Sequence, residues 1–353
     1  MNRKSSKALM LKKMCIAIVY ILIIPIQTTG QQYIDFTKKI DSLITNPNFR
    51  SFNGQILISK NDSILYLKTQ GYSELAHKVK ITNHNLFVIG SLTKQITAVL
   101  ILQAVDKGEL KLTDTIANFL PNLTSDWSKT ITIHHLLNHT HGIQTLHQPL
   151  KFATGTGFEY SNLGYQLLGE ILEKVTGKKY AQLTTDLFHK IGMNNSIDPT
   201  ISDKKNLATG FSQTTNSPIK EQLVDFENAY IPAGFLLSNA VDLAKWNTYL
   251  HAGKLVSDKS YQQLIAPTAE QNHSLFGTVG YAYGLRISNE EKIVEIGHTG
   301  YVPGYISMAF YYPESEATII VLENFDFNDD DIKKTFYFEL EIRKIIRNSS
   351  LIK

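Results

Sequence analysis

The chain has almost no cysteine. Cys15 is the only one in 353 residues, and it sits in an N-terminal apolar stretch. Beyond that stretch a disulfide framework, a thiolate nucleophile and a zinc-thiolate site are all excluded. A long apolar run is missing too. Cys15 to Ile26 is shorter than the ~20 residues that a membrane-spanning helix needs, and Pro25 interrupts its end. A strong charge of one sign is also absent. There are 35 basic and 32 acidic residues, a net +3. Five of the basic residues, Arg3, Lys4, Lys7, Lys12 and Lys13, lie in the first 30 positions, which carry no acidic residue. The remainder has 30 basic and 32 acidic residues, a net −2, so the basic balance gives no footprint for nucleic acid. No internal repeat or low-complexity tract is visible.

What is present begins with an address. A basic segment, the apolar core Cys15 to Ile26 and the small residues Thr28-Thr29-Gly30 read as an export signal over residues 1–30, cleaved before Gln31. The product is expected to be periplasmic or secreted, touching a membrane only through this segment if it stays uncleaved. Cys15 opens the apolar core instead of closing it, which does not suit lipid attachment. Residues 31–353 are then enough for one large domain or two small ones, with ample core, and are read as one hydrolase domain.

Ser91-Leu92-Thr93-Lys94 heads a run to Gly108 with almost no polar face, the pattern of a helix buried on every side. Gly108 suits its C-terminal stop. Ser91 and Lys94, three apart, share one helix face. A lysine opening an apolar helix is desolvated, and a neutral amine beside a hydroxyl can take its proton. Ser-x-x-Lys is short, and taken alone Ser91 also fits a helix N-cap with Lys94 solvated beside it.

The rest of the chain divides by pattern. Gln32 to Thr45 is amphipathic, with Ile34, Phe36, Ile40 and Leu43 as its stripe. Gln55–Ser59 and Ser63–Lys68 flank the turn Lys60-Asn61-Asp62, a hairpin. Leu110 to about Gly253 is expected to be mostly helical, including helices over Tyr165–Val175 and Tyr180–Ile191 and one capped by Ser238. Strands are expected at Tyr281–Ser288, Ile293–His298, Ile306–Tyr312 and Ala317–Leu322, then a helix over Asp331–Ile346. Asp326 to Asp331 reads as a solvated acidic loop. The fold class is α+β: an antiparallel sheet built from about 50–90 and 275–350, flanked by terminal helices, with a helical insertion over about 91–270.

Two further stretches carry chemistry. Tyr160-Ser161-Asn162 lies in a glycine-bounded loop before a helix. A nearby cation lowers a tyrosine's pKa and fits it for acid or base work, and Asn162 both donates and accepts. His298-Thr299-Gly300 ends a strand-like run. Gly300 leaves room for a substrate backbone, and backbone N–H groups there, with that of Ser91, suit an oxyanion hole.

Together these motifs resemble the serine β-lactamase and penicillin-binding-protein superfamily, most closely its class C β-lactamase-like branch of esterases, D-aminopeptidases and D,D-carboxypeptidase-like enzymes. Ser91-x-x-Lys94, Tyr160-x-Asn162 and His298-x-Gly300 stand in that order and at wide separations. Ile131 to Thr140, Tyr160 to Gly169 and Pro232 to Leu236 support it, and the similarity runs from about Phe52 to Asn324. The resemblance implies that Ser91 is acylated, that Lys94 accepts its proton or tunes Tyr160, and that Tyr160 passes the proton to the leaving group. It implies that Asn162 orients Lys94 and the substrate, and that the amides of Ser91 and Tyr301 form the oxyanion hole. Which of Lys94 and Tyr160 is the base stays open. No cofactor is implied, and the partner is a small-molecule or peptide substrate.

Departures shape the reading. His298 stands where true β-lactamases carry a lysine that helps to hold a substrate carboxylate, and histidine is mostly neutral at pH 7. That points to ester or peptide-type amide hydrolysis ahead of a dedicated β-lactamase, with a β-lactamase or a catalytically weak penicillin-binding sensor as the alternatives. His141 stands where relatives have a small serine before Gly142, and either narrows the site or alters a loop contact. The cluster of His134, His135, His139, His141 and His147 raises a metal, but no carboxylate cluster accompanies it, so none is expected.

Overall fold

A computed structural model describes residues 29–201, 203–327 and 331–352. The export segment lies outside these residues apart from its last two, and so does the Ile34 side chain. The centre is an eight-stranded antiparallel sheet. Its strands run in the order Ser63–Gln70, Gly54–Lys60, Ala317–Glu323, Tyr305–Tyr312, Ile293–Val302, Arg286–Glu290, Gly277–Tyr281 and Ala269–His273. The chain's two ends meet in register, with Ile56 opposite Val321 and Ile58 opposite Ile319.

Successive side chains of a strand point to opposite faces, and here both faces are covered. Ile56, Ile58, Ile319 and Val321 pack with Phe36 and Ile40 of the helix Thr29–Thr45 and with Phe338, Ile342 and Ile346 of the helix Tyr337–Arg347. Leu57, Ile320 and Leu322 point the other way, into a larger core shared with the helical block. That is why Ile319 to Leu322 reads as an unbroken apolar run instead of alternating.

The helix Thr93–Asp106 lies within the larger core and is buried over nearly its whole length. It stops as its sequence requires. Gly108 takes φ +74°; its N–H donates to the Val105 carbonyl and the Glu109 N–H to that of Ala104, both at 2.9 Å. These are the paired bonds of a Schellman stop.

Several expectations are corrected. The insertion contains strands Gly210–Thr214 and Ser217–Gln222, which form a small sheet with Phe325–Phe327. The sequence conceals them because they are short and half polar, and because Gly210–Thr214 pairs with a segment over a hundred residues away. Tyr281–Ser288 is no single strand: one ends at Tyr281 and the next begins at Arg286, with Gly284 at φ +69° between. Asn239, not Ser238, caps the helix Ala240–His251, its side chain accepting from the Asp242 N–H. The final helix breaks at Phe336. Asp326 is not solvated but wholly buried, accepting from the Tyr301 hydroxyl at 2.9 Å and the Gly304 N–H at 3.1 Å.

Candidate active site

Ser91 sits in a tight turn, Gly90–Leu92, that leads straight into the helix Thr93–Asp106. Gly90 takes φ +52°, and a Cβ there would meet the Tyr301 nitrogen at 2.7 Å and the Gly300 Cα at 2.8 Å. Only glycine lets this turn lie so close to the strand Ile293–Val302. The close approach sets the Tyr301 amide beside the Ser91 turn.

Lys94 is completely buried. Its Nζ lies 3.1 Å from Ser91 Oγ, 2.7 Å from Asn162 Oδ1 and 2.7 Å from the Ala233 carbonyl. Asn162 opens the helix Asn162–Thr176, where Ser161 is the N-cap and accepts from the Gly164 N–H. Ala233 belongs to the short helix Ile231–Gly234, anchored by the Thr97 hydroxyl donating to the Pro232 carbonyl at 2.7 Å. Three segments far apart in the chain therefore converge on one amine. Tyr160 joins them, with Lys94 Nζ 4.7 Å from its ring centroid.

Burial pushes the Lys94 ammonium below its ordinary 10.5, although Tyr160 opposes the shift. For Tyr160, burial alone would raise the phenol. The charges of Lys94 and Arg286 and contact with Ser91 outweigh it and bring it below 10. The Tyr160 hydroxyl is buried and interacts with Ser91 and Lys94.

His298 was expected at a strand end. It lies within the strand Ile293–Val302 and is wholly buried. Burial first, then the charges of Arg286 and Lys94, hold it well below 6.5, so it is neutral. A cation nonetheless stands beside the third motif, on a residue that no motif marks. Arg286, on the adjacent strand, places a guanidinium nitrogen 3.0 Å from His298 Nδ1 and 3.2 Å from Thr299 Oγ1. Its Cζ is 5.8 Å from the Tyr160 ring centroid. No charge pattern marks it; an arginine in a short strand ordinarily faces solvent. Ala233 was equally unmarked as a ligand to Lys94, although its segment, Pro232 to Leu236, was one of the supporting stretches.

His141 packs inward against the Asn162 helix. A Cβ on Gly164 would meet its Nε2 at 2.7 Å. The Ile143 N–H donates to its Nδ1 at 2.9 Å. Among the described residues no group of three or more His, Cys, Asp or Glu is placed to hold a metal ion. A cavity of about 520 Å³ opens beside Tyr160 and Asn162, walled by Ile143, Leu146, Leu163 and Tyr230. That is the scale of a small-molecule site.

The beta-lactamase family's sequence profile matches residues 41–344. The chain belongs to the beta-lactamase family. As a beta-lactamase-family chain it is 28% identical over 315 residues to a penicillin-binding protein of Bacillus subtilis (strain 168), covering 77% of this chain and 68% of that one. It is 27% identical to Protein flp of Staphylococcus aureus (strain MW2), covering 82% and 63%. This beta-lactamase-family chain therefore spans about two thirds of the length of these relatives. Among solved structures, an octameric penicillin-binding protein homologue from Pyrococcus abyssi aligns with TM-score 0.74 and 25% identity, over 91% of this chain and 79% of that one. A D-amino acid amidase from Ochrobactrum anthropi SV3 aligns with TM-score 0.76 and 22% identity, over 89% and 99%, and shares the fold. Among the described residues no helix of this family member is long and apolar enough to cross a membrane.

Proposed function

We propose that this protein is an exported serine hydrolase that cleaves amide or ester bonds through an acyl-enzyme on Ser91. One observation carries the reading: the buried Lys94 amine shared between Ser91 Oγ, Asn162 Oδ1 and the Ala233 carbonyl. The two carbonyl oxygens only accept. A neutral amine therefore spends its two N–H bonds on them, and its lone pair is left facing the Ser91 hydroxyl. Lys94 takes that proton as Oγ bonds to the substrate carbonyl carbon. The backbone amides of Ser91 and Tyr301 receive the oxyanion. Tyr160 hands a proton to the departing amine or alcohol, and water then attacks the acyl-enzyme with the roles reversed.

The substrate class follows from two supports. The similar proteins named as penicillin-binding proteins and as a D-amino acid amidase point to peptide-type amides of D-amino acids, with esters as simpler analogues. Arg286 supplies positive charge where His298 cannot, which favours acyl compounds that carry an acidic group. Weak acylation by β-lactams belongs to the same reading, because a β-lactam is a strained amide. The basic and apolar N-terminal segment supports export.

The test is a panel of p-nitrophenyl esters, D-aminoacyl amides, muropeptides and β-lactams, with a fluorophosphonate probe and Ser91→Ala as control. Turnover of at least one amide or ester class and labelling confined to Ser91 are expected. Equal labelling of Ser91→Ala would defeat the assignment.

A further inference from the structure

His139 has no role assigned above, and its surroundings are unusual. It is wholly buried and takes φ +62°, a left-handed conformation that a residue with a Cβ seldom holds unless its neighbours enforce it. Its carbonyl accepts the Glu159 N–H at 2.9 Å. Its ring Nδ1 accepts the Ser161 N–H at 3.2 Å. Its ring packs on the Tyr160 ring with centroids 4.5 Å apart. One residue thus holds both chain neighbours of Tyr160 and the phenol ring itself.

The opposite ring edge is equally committed. A backbone N–H can only donate, so Nδ1 carries the lone pair and the neutral ring's proton lies on Nε2. That N–H faces the Tyr281 oxygen at 3.1 Å. The same oxygen is 3.3 Å from His298 Nε2. Arg286 can only donate to His298 Nδ1, so the neutral His298 carries its proton on Nε2 and the Tyr281 oxygen accepts from both histidines. The chain Ser161, His139, Tyr281, His298 joins the second motif to the third behind the reacting groups.

We propose that His139 is the positioning residue of Tyr160: it fixes the backbone on both sides of the phenol and ties that platform, through Tyr281, to His298. The inference rests on the Ser91 hydrolase reading for what Tyr160 does, but not for how it is held. The titratable groups that face the His139 ring are Lys94, His141, Tyr160, Tyr165, Tyr281 and Arg286. Burial, then Lys94, His141 and Arg286, keep the ring uncharged. A charged imidazolium would surrender the Nδ1 lone pair and release Ser161. Both ring nitrogens being engaged also accounts for this histidine without a metal.

The test compares His139→Asn, His139→Gln and His139→Phe in the full chain. Asparagine places a carbonyl oxygen near the Nδ1 position and tolerates the left-handed conformation. Glutamine reaches towards the Nε2 position, and phenylalanine keeps only the ring. Two readouts are taken: p-nitrophenyl ester turnover, and the ¹³C-tyrosine resonance of Tyr160 assigned by Tyr160→Phe. Expected are a tenfold or greater loss of kcat at unchanged KM in Gln and Phe, most of it restored in Asn, and a Tyr160 resonance displaced in Gln and Phe but not in Asn. Glutamine matching or exceeding asparagine, or an unmoved Tyr160 resonance in all three, would overturn the proposal. Should His139→Phe fail to fold, the Asn and Gln pair decides. Should the unmodified chain turn over no ester, the hydrolase reading fails, and the Tyr160 resonance alone judges His139.

Discussion

Replacing Lys94 by methionine removes the amine and keeps most of the side chain's volume. The structure sets two consequences of different kinds. For stability, Asn162 Oδ1 and the Ala233 carbonyl lose a donor that each holds at 2.7 Å. Each unsatisfied buried acceptor costs about 1–3 kcal/mol. Against that, a buried amine whose charged form burial already disfavours is exchanged for an apolar thioether. The two nearly offset, so the variant is expected to fold with a modest change in Tm. For acylation nothing offsets the loss. Removing a positioned proton acceptor typically costs 10²–10⁴ in rate, about 2.7–5.4 kcal/mol of barrier. The sign with pH is definite. A lysine lowered from 10.5 moves its neutral form towards physiological pH, so the unmodified chain's acylation rate rises with pH along a limb beginning below 10.5. The limb should vanish in the variant. Stopped-flow acylation by a p-nitrophenyl ester between pH 5 and 10, beside thermal melts, reads both. A folded Lys94→Met acylating within tenfold of the unmodified chain, on the same limb, would refute the assignment of Lys94 as the base.

Arg286→Met removes a charge that holds the Tyr160 phenol down, so that phenol should titrate at higher pH; difference absorbance near 295 nm, with Tyr160→Phe as the blank, measures it, and an unmoved titration contradicts the coupling. Gly164→Ala should destabilise the chain, because its Cβ meets the His141 ring, yet stabilise it by roughly 0.5–1 kcal/mol once His141→Ser has made room, as alanine ordinarily does in a helix; denaturant melts of both backgrounds give the sign, and equal effects remove the contact from consideration. Glu339 is raised well above 4.5, first by burial and then by Glu323, so the folded chain keeps a proton that the unfolded chain loses. Stability then falls as pH rises from 4.5 through the folded value. Glu339→Gln should gain on the unmodified chain progressively from pH 4.5 to 8; a pH-independent difference in Tm would count against a protonated Glu339.

How much of this was legible in the sequence follows from what each residue answers to. Local pattern carried the Ser91 helix and its glycine stop, because an apolar run and a left-handed glycine are decided within a few residues. The hairpin and the strand Ala317–Glu323 were legible for the same reason. The candidate site was legible where it is written in side chains at short spacing: Ser91 with Lys94, and Tyr160 with Asn162. What stayed hidden depends on partners distant in the chain. Gly210–Thr214 becomes a strand by pairing with Phe325–Phe327. Asp326 is buried because the Tyr301 hydroxyl and the Gly304 amide need an acceptor. Ala233 contributes only a carbonyl, which no side-chain pattern can announce. Arg286 has an acidic residue at i+4, Glu290, but that carboxylate pairs with Arg343, and the partners of Arg286 are Gln271, His298 and Thr299.

Lys94 and Arg286 are both buried, and among the described residues their hydrogen-bond partners are Ser91, Asn162, Ala233, Gln271, His298 and Thr299, none of them an acid. Burying a cation without an anion is costly, and structures ordinarily relieve it with a carboxylate. Here the relief takes another form: the lysine's pKa is drawn down, the Tyr160 phenol is drawn down beside it, and the nearby histidines are kept neutral. A carboxylate in the same place would neutralise the site permanently and would hold the lysine protonated. With none, the deficit is met only when negative charge develops, on the phenol or on an oxyanion at Ser91. On the hydrolase reading, the absent carboxylate is what makes the site more complementary to the transition state than to the resting substrate. An acid introduced at Gln271, the neutral partner of Arg286, should therefore slow acylation while leaving the fold intact. Gln271→Glu acylating as fast as the unmodified chain would show that the uncompensated charge is a structural accident and not part of the mechanism.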